Sequence, residues 1–175
     1  MKPNGFTLME LMVTVAIAAI VMTIGIPSFQ DTIRENRLTA NTNTFVSSLN
    51  LARSEAIKSG RRVVMCISAG STCATSGGYD QGWIVFRDTN GDGQPNAGEI
   101  IRIFEKMPEG MTLTGASAVD KLIGFNSDGT FTGNDGNRIP PNTVLTVCKS
   151  GKARTITLNN PGRIQVERPA SPTCP

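Results

Sequence analysis

Twelve consecutive residues, Asp88-Thr-Asn90-Gly-Asp92-Gly93-Gln94-Pro-Asn96-Ala-Gly-Glu99, concentrate oxygen donors. Their order matches D-x-N-x-D-G-x5-E, the spacing of a calcium loop. Calcium is a hard cation that takes roughly six to eight oxygens, and a glycine at the place of Gly93 permits the sharp turn. In such a loop Asp88, Asn90, Asp92 and Glu99 supply side-chain oxygens, Gln94 a backbone carbonyl, and Asn96 a direct or water-mediated contact. The flanks pattern as strands, whereas the two arms of a calcium loop of this spacing are helices. The same residues also suit a polar hairpin loop, because Asn, Asp and Gly satisfy turn geometry. A second group is basic. Lys149, Lys152, Arg154, Arg163 and Arg168 face only Glu167 within residues 144–175, a local charge of +4, while residues 1–143 sum to −1. Such a segment suits an anionic partner, and phosphate contacts made by it would be salt-dependent and carry little sequence information. No aromatics interleave with these charges, which argues against base stacking. Charges on an exposed strand also guard it against pairing. A third candidate is Glu10, which opens a stretch without any charge over residues 11–30. A charge inside a bilayer costs about 2.5–3.5 kcal/mol, which makes it a functional candidate, and a buried carboxylate needs a cationic partner.

The absence of His excludes a Ser-His-Asp or Cys-His catalytic group and any His-based metal site. The many Ser and Thr hydroxyls have no activating base nearby in sequence, and no glycine loop of the phosphate-binding kind is present. Nothing supports an enzyme. Cys66, Cys73, Cys148 and Cys174 lack the C-x2–4-C spacing of a zinc site. An even count behind an apolar anchor points to an exported domain with two disulfides. The pairs Cys66–Cys73 and Cys148–Cys174 are favoured because each closes a short polar loop or ties down an end; sequence order leaves the other pairings open.

These residues need elements to position them. A helix of about 20 residues, rising about 1.5 Å per residue, spans the roughly 30 Å hydrocarbon core of a bilayer, so residues 11–30 read as membrane-spanning. Asp31, Arg34, Glu35 and Arg37 form a charged collar behind it. Phe45, Val46, Leu49, Ala52, Ala56 and Ile57 then recur at spacings of three and four, an amphipathic helix with Arg53, Glu55 and Lys58 opposite and a stop at Ser59-Gly60. Gly25-Ile26-Pro27 is expected to weaken or kink this helix. Beyond it the chain patterns as strands: residues 62–67, 82–86 paired with 99–104, 122–125 with Phe131, 143–148 with 154–158, and 162–166. Trp83 reads as core. The fold class is α+β, a long helix packed on an antiparallel sheet.

Gly5-Phe6-Thr7-Leu8-Met9-Glu10 places its small residue ahead of the apolar run, unlike an ordinary secretion signal. It resembles the class III signal of type IV pilins and pseudopilins. That resemblance implies a prepilin peptidase that cleaves after Gly5 and methylates the new amino terminus, Phe6. It also implies that Glu10 meets the methylated terminus of an adjacent subunit in the filament. Pro27 fits the same family, where the helix can melt locally in the fibre. Ala52-Arg-Ser-Glu-Ala-Ile57, the Gly-Trp-Ile-Val-Phe stretch at Trp83 and Asn160-Pro-Gly-Arg163 are similar to the GspH/FimT proteins within it. The implied organisation is a cleaved leader (1–5), a transmembrane and filament-core helix (6–30), an amphipathic helix (31–60) and a β-rich domain (61–175). The domain would be periplasmic behind the inner membrane and later exposed on a cell-surface pilus. The implied role is a minor pilin contacting other pilin subunits in a priming or tip subcomplex. The alternatives are a subunit that binds double-stranded DNA for uptake in natural transformation, or a minor pseudopilin of type II secretion. DNA-uptake members carry Gly-Arg-x-Arg near the carboxy terminus; here Gly162-Arg163-Ile164-Gln165 replaces the second arginine by Gln165. Arg154 and Arg168 can compensate only if they share its face.

Overall fold

The computed structural model describes residues 5–170 and Cys174, without the side chains at positions 24, 25, 27 and 28. Residues 1–4 of the expected leader and most of the tail after residue 170 lie outside this description. Helical backbone runs from Leu8 to Ser59 (α1). The expected weak point at Gly25-Ile26-Pro27 does not end it, and the Pro27 side chain lies outside the described set. Gly60 follows in the left-handed region (φ 65°), which closes the helix as a C-cap.

The chain divides into two compact units, Met1–Arg37 and Leu38–Pro175. In the first, large apolar side chains stand in the open: Phe6 is 79% exposed, and Leu8, Met12, Val15, Ile20 and Phe29 are also exposed. Among the described residues no helix is long and apolar enough to cross a membrane. The 11–30 run expected to do so includes the four positions whose side chains are not described.

The second unit carries nine strands: β1 (Val63–Ile67), β2 (Trp83–Arg87), β3 (Ile100–Phe104), β4 (Met111–Gly115), β5 (Leu122–Phe125), β6 (Phe131–Thr132), β7 (Thr143–Lys149), β8 (Lys152–Asn159) and β9 (Arg163–Glu167). The expected strands and hairpins form, but not as one sheet. A five-stranded sheet runs β3-β2-β1-β5-β6 and a four-stranded sheet β4-β7-β8-β9. The strand that sequence reading passed over is β4, a short Thr-containing run whose partner β7 lies far along the chain.

One core joins the helix to both sheets. Phe45, Leu49, Ala52 and Ala56 of α1 meet Met65, Val85, Ile123 and Phe125 of the first sheet and Leu145, Val147, Ile156 and Leu158 of the second. Ala52 and Ala56 leave room for the strands. Ile57, expected on this apolar face, is 51% exposed, because the helix presents Ala56 there instead. Trp83 is buried as expected. Its Nε1 donates to Ser48 Oγ (2.9 Å), which satisfies the indole, and its ring meets Phe45 edge-on and stacks on Phe104. A second, smaller apolar cluster of Val64, Cys66, Ile84 and Phe86 lies on the other face of the five-stranded sheet.

Candidate functional site

The loop after β2 is organised by an arginine. Asp88 N–H donates to Arg62 O (3.0 Å), so the β1–β2 ladder runs one pair beyond the strands and sets the two side chains next to each other. Arg62 Nη1 donates to Asp88 Oδ2 at 2.7 Å, with the Asp88 side chain fully buried and that of Arg62 a quarter exposed. Asp88 Oδ1 accepts from Gly93 N–H (3.3 Å). Glu99 accepts from Thr89 N–H (3.1 Å), from the Thr89 hydroxyl and from Asn96 N–H (3.0 Å). These donors, the Thr89 hydroxyl first, hold its carboxyl below the usual range. Asp92 accepts from Gln94 N–H (2.8 Å) and from the Asn96 and Asn90 side-chain amides, and is lowered for the same reason.

In this structure the oxygens of the expected calcium set accept hydrogen bonds from the loop's own donors. Among the described residues no three Asp, Glu, Cys or His side chains gather to hold a metal. The oxygens of Asp88, Asp92 and Glu99 face the loop's own N–H groups, and a guanidinium supplies the positive charge beside Asp88. The loop also covers apolar surface. Gly93 packs against Leu122 and its carbonyl approaches Cys73 Sγ (3.6 Å), over the smaller apolar cluster. Arg62 was missed in the sequence because nothing local marks its partner, which is 26 residues away.

The basic residues do not share a face. In the β8–β9 register Arg163 opposes Asn159, Gln165 opposes Thr157 and Glu167 opposes Thr155, all on the side away from the core. Arg154 is in phase with Ile156 and Leu158 on the core side and is only 8% exposed. Its Nη1 donates to Ala153 O (3.0 Å) and its Nη2 to Thr39 Oγ1 (3.4 Å). Lys149 and Lys152 oppose each other at the far end of β8, roughly 23 Å along the strand from Arg163 at about 3.3 Å per residue. Lys149 Nζ donates to Glu109 O (3.1 Å). Arg163 and Arg168 are exposed, and Arg154 cannot stand in for the arginine replaced by Gln165.

Two of the stretches noted for their family resemblance meet instead in a clamp. Arg53 Nη2 donates to Pro161 O (3.3 Å). The guanidinium lies on Gly162 so closely that a Cβ there would come within 2.4 Å of Arg53 Cζ, and Gly162 has φ 79°. Asn160 Oδ1 accepts from Phe131 N–H (2.7 Å), which ties the same turn to β6. Arg53, which the helical period places on the open face, closes on this turn instead. Both favoured disulfides form, Cys66–Cys73 and Cys148–Cys174, with Cα–Cα distances of 5.6 and 5.7 Å. At the chain start, Thr7 Oγ1 accepts from Glu10 N–H (3.3 Å). Thr7 thus caps α1, and Glu10 sits in the first turn, where the helix dipole favours an anion. Phe6 and Glu10 are both exposed.

Residues 41–162 match the family described as Type II transport protein GspH. The chain belongs to the GspH family. Residues 1–26 of this GspH-family chain match the Prokaryotic N-terminal methylation motif. Prepilin peptidase-dependent protein D of Escherichia coli (strain K12) is 51% identical over 45 residues, covering 26% of this chain and 31% of that protein. The match thus spans about a third of the relative's length. Among solved structures, the type IV minor pilin FimU of Pseudomonas aeruginosa superposes in two crystal forms. The TM-scores are 0.58 and 0.54, at 22% and 20% identity, covering 78% and 76% of this chain and 96% and 98% of FimU. The GspH-family chain has the type IV pilin fold, a long amino-terminal helix with antiparallel sheets.

Proposed function

We propose that this chain is a minor pilin, a structural subunit incorporated into a type IV pilus within a priming or tip subcomplex. A prepilin peptidase cuts between Gly5 and Phe6 and methylates Phe6. The apolar helix then holds the subunit in the inner membrane, with the β-rich unit in the periplasm, until it enters the filament and reaches the cell surface. The observation that carries this reading is the contrast between the two units. The first contains a methylation motif and leaves its apolar side chains uncovered. The second closes its own core and ties it with two disulfides. Apolar surface of the first kind is stable only when lipid or neighbouring helices cover it. A minor pseudopilin of type II secretion is the second reading, favoured by the description of the family itself.

The test is expression of the full chain in a piliated host, with mass spectrometry of its amino terminus and immunoblotting of sheared filaments. Mature chains should begin with N-methylated Phe6, and Glu10→Leu should keep membrane insertion and processing while its recovery in filaments falls at least tenfold. Unchanged recovery of Glu10→Leu would overturn the assigned role of Glu10. Absence of the unmutated chain from pili, with recovery in secretion pseudopili, would transfer it to the second reading.

A further inference from the structure

β3 ends the five-stranded sheet and is paired on one side only, to β2. Its backbone groups on the other side meet no strand among the described residues. Free edges of this kind are normally guarded by charge. A free edge of the four-stranded sheet, β9, follows that rule, with Arg163 and Glu167 both exposed. β3 does not. Its exposed side chains include Ile100 (36%) and Ile103 (47%), and in the register with Phe86 and Ile84 they extend the smaller apolar cluster to the sheet margin.

Its other face carries Arg102 and Phe104, opposite Val85 and Trp83. The Arg102 guanidinium lies 4.7 Å from the Phe104 ring centroid and makes no ion pair among the described residues. Beside it opens a groove of about 360 Å3 between β3 and α1, lined by Asn43, Thr44, Ser47, Leu51, Arg102 and Phe104. Asn43 and Ser47 are exposed, and their side chains have no hydrogen-bond partner among the described residues. No acidic residue lines the groove, and α1 carries no charge from position 38 to 52. Beyond the strand, Glu105 and Lys106 offset each other. An open strand edge, an uncovered apolar margin and a groove holding donors and one cation are complementary to an extended strand with a carboxylate.

We propose that the free edge of β3 takes an extended strand of a neighbouring pilus subunit, its carboxylate entering the groove toward Arg102 and its apolar side chains covering Ile100 and Ile103. Main-chain pairing supplies the adhesion and alternate side chains the selectivity, as in other strand additions. The proposal rests on the reading of the chain as a filament subunit.

The probe is an acetylated, amidated peptide Val-Thr-Val-Glu-Val-Thr-Val, whose alternation matches the two faces, beside the same peptide with Lys in place of Glu. Each is added at millimolar concentration to the full chain in detergent, and amide hydrogen exchange is followed residue by residue. The Glu peptide should slow exchange at residues 100–104. The Lys peptide should do so about two- to fivefold more weakly, the range of an exposed ion pair. Arg102→Glu should invert that preference, with exchange in β1 unchanged as proof of folding. No slowing at residues 100–104, or equal slowing by both peptides in both proteins, overturns the proposal. In piliated cells Arg102→Glu/Ile103→Lys should be processed normally but recovered poorly in filaments. Normal recovery of that variant alongside loss of Glu10→Leu sinks the edge proposal alone, whereas absence of the unmutated chain from pili sinks the filament reading.

Discussion

Arg62 stands where the sequence of the Asp88–Glu99 loop invites a metal ion. Its ion pair with the buried Asp88 carboxylate supplies the charge that calcium would bring, so the loop closes on internal donors. Millimolar calcium is accordingly expected to leave the thermal unfolding midpoint of the full chain unchanged, whereas Asp88→Asn should cost about 2 kcal/mol by stranding the partly exposed guanidinium. A calcium-dependent rise in the midpoint would reverse that assignment. Glu99, Asp92, Asp128 and Asp135 are all held below their ordinary values, by the Thr89 hydroxyl, the Gln94 N–H, the Thr130 hydroxyl and the Asn137 side chain respectively. A carboxyl lowered on folding stabilises the folded state above its unfolded pKa, and that contribution is lost as the pH falls through the folded value. Stability should therefore decline below about pH 4. Glu99→Gln should make this acid limb shallower in unfolding midpoints measured from pH 2 to 6. At the clamp, Gly162→Ala should cost about 2 kcal/mol, part from positive φ and part from moving Arg53 off Pro161 O. In an Arg53→Ala background only the φ part, about 1 kcal/mol, should remain, and a double-mutant cycle in urea reads the difference.

Elements hold together here through staples that cross them. The Cys148–Cys174 bridge closes 26 residues and fastens the tail to β7, while Cys66–Cys73 closes seven and borders the loop at Gly93. The chain-entropy model gives about 3.5 kcal/mol for the first and about 2.5 kcal/mol for the second. Cys148→Ser/Cys174→Ser should therefore lower the unfolding free energy more than Cys66→Ser/Cys73→Ser. Hydrogen exchange should rise at β7 and β8 in the first case and around residues 88–99 in the second. Equal exchange profiles in the two variants would show that the bridges do not act locally. For α1 the decisive contact is Ser48 with Trp83: without the hydroxyl the buried indole N–H loses its acceptor, which costs about 1–3 kcal/mol.

At the scale of the molecule, one unit leaves apolar side chains uncovered and the other closes its own core, the contrast on which the proposed filament role rests. DNA capture fits the domain poorly. Lys149 and Lys152 lie at one end of β8 and Arg163 at the other, with Arg154 turned into the core. Titration of a labelled duplex with the full chain in detergent at low salt is expected to show no saturable binding. Tight binding that weakens steeply with salt, and is abolished by Lys149→Ala/Lys152→Ala/Arg163→Ala, would restore the DNA-uptake reading.

The amino-acid sequence by itself determined what depends on neighbours along the chain. The 3.6-residue period of Phe45, Leu49, Ala52 and Ala56, the alternation in β8 and the turn residues between strands are local signals, and they marked the helix and all but one strand. The Gly5–Glu10 motif was legible for the same reason, whereas sequence order favoured the cysteine pairs without excluding the others. Only the tertiary structure decided that the strands divide between two sheets, that Arg154 faces inward, that Arg62 answers Asp88 and that Arg53 closes on Pro161 and Gly162. Those partners lie 115 residues apart for Arg154 and Thr39, 26 for Arg62 and Asp88, and 108 for Arg53 and Pro161. A charged side chain carries no mark in the sequence of what will cross it. Its role is set by which backbone and which counter-charge the packed core brings within hydrogen-bonding distance, and that is a property of the folded chain.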